Sequence, residues 1–116
     1  MREIIFYETD LGDRPVEDFL AGVDAAPRAK IVVISSSCDL PVMPSKFWQK
    51  MATVGNLWEL RTEYAGNIYR VLATTAKGNG VILLHAFQKK SQRRPGQDIE
   101  IAQQRQKRYF QRHGYL

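Results

Sequence analysis

Residues 57–94 read LWELRTEYAGNIYRVLATTAKGNGVILLHAFQKKSQRR, and their pattern decides the fold. From Leu57 to Tyr64 the chain alternates: Trp58, Leu60 and Tyr64 share one face, and Glu59, Arg61 and Glu63 the other. Ala65-Gly66-Asn67 supplies a turn. Ile68 to Thr75 alternates again, with Ile68, Arg70 and Leu72 opposite Tyr69, Val71 and Ala73. Lys77-Gly78-Asn79-Gly80 is a second turn, rich in residues that accept a positive φ. Val81-Ile82-Leu83-Leu84 is a continuous apolar run, the signature of a strand buried on both faces. Three consecutive strands joined by short turns predict an antiparallel meander. The third delivers His85, Gln88, Lys89, Lys90, Gln92, Arg93 and Arg94 where the chain leaves the core.

The flanking segments supply the other layers. Residues 2–9 carry Ile4, Ile5, Phe6 and Tyr7 and read as a strand that joins the sheet edge. Pro15 suits a first helical turn, Glu17 and Asp18 favour the same end, and Val16, Phe19, Leu20 and Val23 form one apolar stripe. Residues 28–38 contain the β-branched run Ile31-Val32-Val33-Ile34, which fits a strand by propensity. Pro27 and the short link from the preceding helix favour a second helix in an αα-hairpin. Residues 40–44 end regular structure with two prolines. Residues 45–54 read as a short helical turn or an irregular loop, with Trp48 as its buried anchor. Pro95 opens a last helix through Gln97 to about Arg112, striped with Ile99, Ala102, Gln106, Tyr109 and Phe110 and closed by Gly114. The order β-α-α-β-β-β-α predicts an α+β domain over residues 1–116, a small antiparallel sheet with helices on one face.

Composition narrows the functional classes. With 44% hydrophobic and 25% charged residues in 116, the chain is expected to form a single globular domain. No apolar run approaches a membrane span, no signal-peptide pattern opens the chain, and one cysteine, Cys38, excludes an internal disulfide and a cysteine-rich zinc site. A cytoplasmic location is the default expectation. The net charge of +5 is unevenly spread: residues 1–26 hold two basic and seven acidic side chains, whereas residues 59–116 hold eleven basic and four acidic. This asymmetry fits a polyanionic partner, and equally a solvated basic surface.

Glycine patterns for dinucleotide or P-loop phosphate binding are absent, and His85 and His113 lack the spacing of a helical metal pair. What stands out is a set of cations carried by strands. Arg61 lies on a charged strand face, and Arg70 sits mid-strand between Ile68 and Leu72, where a guanidinium is costly without a partner or a cleft. Structural ion pairs with Glu59 or Glu63 would explain both arginines equally well. Lys89 and Lys90 leave the third strand on opposite sides, where they serve a cleft or simply solvate the strand end.

LWELRTEYAGNIYRVL followed by VILLHAFQKKSQRRPGQDIEIAQQRQKRY resembles the RelE-type toxin superfamily, within it the HigB-like and phage-derived toxins of bacterial toxin–antitoxin pairs. The N-terminal FYET strand and PVEDFL helix fit the same branch, so the resemblance spans nearly the whole chain. Residues 35–44 depart from it, because a longer regular helix is expected there. The resemblance implies a RelE-like fold, ribosome-dependent mRNA cleavage without a metal or other cofactor, and neutralisation by a helix-turn-helix antitoxin protein. Carried onto this chain, it implies catalytic roles for Arg61, Arg70, His85, Lys89 and Lys90, and RNA contacts from Gln92, Arg93, Arg94, Arg105, Lys107, Arg108 and Arg112. More distantly, the chain resembles ParE-like gyrase inhibitors, which share the fold without cleaving RNA. A domesticated phage protein that binds nucleic acid without activity is a third reading.

Cleavage of RNA by its own 2′-OH requires that hydroxyl to lose a proton, the phosphorane charge to be stabilised and the leaving 5′-oxygen to gain a proton. The arginine fork matches phosphate oxygens, a lysine with a lowered pKa can exchange protons, and histidine titrates near neutrality. Phe87 lies on the same strand face as His85, where it either stacks a base or fills the core.

Overall fold

The computed structural model describes residues 3–36, 48–51, 56–75, 80–88 and 95–114. Within them the order is β1 (Glu3–Phe6), α1 (Pro15–Ala21), α2 (Ala25–Ser36), β2 (Trp48–Lys50), β3 (Trp58–Tyr64), β4 (Asn67–Thr75), β5 (Gly80–Gln88) and α3 (Pro95–His113). The five strands form one sheet in the order β1-β5-β4-β3-β2, an α+β architecture as the strand and helix periodicities predict.

The sheet differs from the expectation in three respects. It is mixed rather than purely antiparallel: β1 runs parallel to β5, with Ile4 opposite Val81 and Phe6 opposite Leu83. A parallel neighbour requires a long crossover, and the intervening helices and strands provide it. Residues 48–50 form a strand, not a helical turn, pairing antiparallel with β3 through Trp48 and Leu60. Local propensity over three residues could not reveal this, because the anchor is tertiary: Trp48 is only 2% exposed. Finally, helices cover both faces. Val16, Leu20 and Ile31 from α1 and α2 pack on one face with Leu60, Val71 and Leu83, while Ile99, Ala102 and Tyr109 from α3 pack on the other with Leu72, Ile82 and Leu84. This explains why residues 81–84 are apolar without alternation: all four are fully buried, two toward each helical layer. The ambiguous run beginning at Ile31 is helical, and Ile31 itself is buried between α2 and the sheet.

Two backbone features shape the site. The β3–β4 hairpin closes through Ala65 and Gly66, both at positive φ (52° and 82°), the geometry of a two-residue turn that matches strand twist. The β4–β5 ladder contains a bulge: Leu72 pairs with His85, but the next residue, Ala73, pairs with Leu83. Leu84 is therefore an extra residue, and Leu84 and His85 both face α3. Strict alternation would have put His85 beside Val81 and Leu83 on the opposite face.

Candidate active site

Registry across the sheet builds the site on the α3 side. Arg61 on β3 lies directly opposite Arg70 on β4, and Arg70 directly opposite Phe87 on β5. The next row is Glu59, Leu72 and His85. Side chains directly opposite one another share a face and are neighbours, so two guanidinium groups and two carboxylates converge beside an aromatic ring. Their environments differ. Arg70 Nη1 donates to Glu59 Oε2 at 3.4 Å, and both side chains are largely buried, 16% and 17% exposed. Arg61 reaches Glu63 at 3.5 Å from a side chain 51% exposed. Arg70 Nε is buried and has no hydrogen-bond partner among the described residues. The carboxylates thus engage one nitrogen of each fork; the half-exposed Arg61 keeps further N–H donors toward solvent, whereas the Nε of Arg70 is buried. Phe87 is 6% exposed and packs in the core, so it is not placed to stack a base.

Beside this row, α3 and β5 are joined by a chain of polar contacts. His85 Nε2 lies 2.6 Å from Asp98 Oδ1, and Asp98 is fully buried in the first turn of α3. Arg105 Nη1 donates to the Leu84 carbonyl at 2.8 Å and lies 3.3 Å from His85 Nδ1. The bulge makes both contacts possible, since it turns His85 toward α3 and frees the carbonyl of the extra residue from the ladder. Desolvation by burial lowers the Arg105 pKa from its ordinary value. Its guanidinium carbon also sits 5.9 Å from the Tyr7 ring centroid. The His85 ring stacks on Phe87 at 5.5 Å between centroids. The histidine is therefore held from three sides.

The remaining cations of α3 divide. Arg108 Nε donates to Asp10 Oδ1 at 3.0 Å, and Arg112 donates to the Glu8 carbonyl and to Asp10. Hydrogen bonds from Arg108 and Arg112 hold the Asp10 carboxyl below its ordinary pKa. Three of the four α3 cations expected to hold RNA, Arg105, Arg108 and Arg112, thus engage β5, Tyr7 and the loop after β1, while Lys107 is exposed. Lys89, Lys90, Gln92, Arg93 and Arg94 lie outside the described residues, as does Cys38. Gln88, which precedes them, donates to Asn67 at 2.9 Å.

Sequence reasoning missed Asp98 and undervalued Glu59. The signal for Asp98 was present: Asp98, Ala102, Arg105, Tyr109 and Arg112 recur at helical spacing, and a carboxylate in a first turn is favoured by the helix dipole. Among the described residues no three His, Cys, Asp or Glu side chains gather in a way that could hold a metal ion, and no helix is long and apolar enough to cross a membrane. A family model described as phage-derived protein Gp49-like (DUF891) matches residues 18–107. No curated protein matches the chain.

Proposed function

This chain belongs to the Gp49-like phage-derived protein family, and on that premise we propose that it is the toxin of a toxin–antitoxin pair and cleaves ribosome-bound mRNA. The family is associated with toxin–antitoxin systems. The observation that carries the finer reading is the cross-strand row, in which Arg61 and Arg70 stand opposite each other on the sheet face beside α3. Two planar forks on rigid strands offer paired donors to the nonbridging oxygens of one phosphate, and their charge would stabilise the phosphorane as it forms. Strands hold such groups more precisely than loops do.

In this reading Arg61 and Arg70 bind and stabilise the reacting phosphate. Proton exchange falls to Lys89 or Lys90, which follow β5 directly in sequence. His85 is assigned no proton transfer, because each ring nitrogen lies within hydrogen-bond reach of an α3 side chain. Gln92, Arg93, Arg94 and Lys107 are assigned phosphate contacts with RNA. The reaction runs without a metal, and a helix-turn-helix antitoxin neutralises the toxin.

Induced expression in a bacterial host tests this. Growth should stop and transcripts should be cut within their coding regions, while coexpression of a neighbouring antitoxin gene restores growth. Arrest with intact transcripts and gyrase-linked DNA breaks would replace the nuclease reading with that of a gyrase inhibitor. Ribosome binding without toxicity would replace it with that of a silent nucleic-acid-binding protein.

A further inference from the structure

Arg105, His85 and Asp98 impose a proton arrangement on one another. A guanidinium only donates, so the Nδ1 atom that faces Arg105 at 3.3 Å must offer its lone pair. A neutral imidazole with a bare Nδ1 carries its proton on Nε2, and that proton points at Asp98 Oδ1, 2.6 Å away. Adding a proton at Nδ1 would set two N–H groups against each other. The ring thus links a buried carboxylate on the first turn of α3 to a guanidinium two turns later on the same helix. The same ring stacks on Phe87, and Phe87 stands directly opposite Arg70 in the β4–β5 register.

We infer that Asp98 is a positioning residue of the strand-face site: it fixes His85 as the Nε2–H tautomer and clamps the ring against Phe87, which in turn buttresses Arg70. Its action on cleavage rests on the endoribonuclease reading, whereas the clamp itself stands on geometry alone. Arg70 is sensitive to such support because its buried Nε has no hydrogen-bond partner among the described residues, so packing rather than hydrogen bonding limits that part of the side chain. Asp98 is buried against His85 and would act through that ring rather than on a phosphate, so it is not a catalytic residue.

The test uses the full chain, 15N-labelled, as native protein, Asp98→Asn and Asp98→Ala. Imidazole spectra of the native protein should show His85 protonated at Nε2 and bare at Nδ1. In Asp98→Ala the Phe87 ring signals and the Arg70 Nε–H signal should both move. On ribosome-bound mRNA, kcat should fall roughly ten- to a hundred-fold, the scale of a misplaced catalytic group, with KM within about two-fold. Asp98→Asn keeps the size and an acceptor oxygen, so it should fall between native and Ala in both readouts. It also carries the test if the Ala variant does not fold. An Nδ1–H tautomer in the native protein, or unmoved Arg70 and Phe87 signals in a folded variant, would overturn the proposal. A native chain with the expected spectra that leaves mRNA intact would instead remove the nuclease reading and leave the clamp standing.

Discussion

Arg61 and Arg70 face each other across two strands, yet substitution should separate them. Arg70 and Glu59 form a largely buried pair, so Arg70→Ala strands a carboxylate away from water and should cost about 3 kcal/mol of stability. Arg61 and Glu63 are half-exposed or more, so Arg61→Ala should change stability by less than about 0.5 kcal/mol. Chemical denaturation of the two variants checks this contrast. Arg61 is therefore the cleaner probe of function, because its loss of activity cannot be charged to unfolding. The sequence offered a phosphate site or an ion pair as alternatives for these arginines. Both ion pairs exist, Arg70 with Glu59 and Arg61 with Glu63, each through one nitrogen of the fork. At His85 the resemblance implies a catalytic role, and both ring nitrogens lie within hydrogen-bond reach of α3 side chains. The partner Asp98 on α3 stayed hidden because it lies 13 residues further on, and because only the bulge just before His85 turns the ring toward α3.

Among the elements, the β3–β4 hairpin carries a local conflict. Ala65 occupies a left-handed conformation (φ 52°) that costs an alanine roughly 1 kcal/mol and suits asparagine or glycine. Ala65→Asn should raise thermal stability by about 1 kcal/mol without altering the arginine row, as a melting curve and an amide spectrum would show. Helix α3 has a different dependence, on pH. Its last turns are tied to the loop after β1 by Arg108 and Arg112 on Asp10. The Asp10 carboxyl has a lowered pKa in the folded state, so the native protein binds fewer protons there than the unfolded chain. The tie contributes fully above the unfolded carboxylate value and is lost as pH falls through the folded one. Asp10→Asn should flatten that part of the acid stability profile, and high salt should act in the same direction because the pair is exposed. Helices α1 and α3 and strands β3 and β4 were legible from a clean period, β5 from its continuous apolar run, and α2 from Pro27 and the short link before it. Strand β2 and the parallel pairing of β1 were not, since both depend on partners distant in sequence.

At the scale of the molecule, the tally of charge along the chain was a true count but a poor guide to direction. The basic second half suggested an α3 surface lined with phosphate-binding cations. Instead Arg105 turns inward to β5, and Arg108 and Arg112 clasp the acidic N-terminal half. Charge asymmetry between the two halves of the chain is thus partly spent on holding the fold together, and the proposed site rests on the cations of the sheet face. A count cannot tell these uses apart, because each depends on which side of α3 a residue occupies. The central claim is that this face breaks RNA through the RNA's own 2′-OH. The most direct measurement is cleavage of a defined mRNA on purified ribosomes in the presence of EDTA, using the native chain and Arg61→Ala. One substrate is all-ribose, and another has a single 2′-deoxy nucleotide at the mapped cut. The native chain should cut the all-ribose mRNA and leave a 2′,3′-cyclic phosphate, the 2′-deoxy position should be spared, and Arg61→Ala should be slower by at least about ten-fold. Cleavage that persists at the 2′-deoxy position, or mRNA left whole by the native chain, would contradict the account.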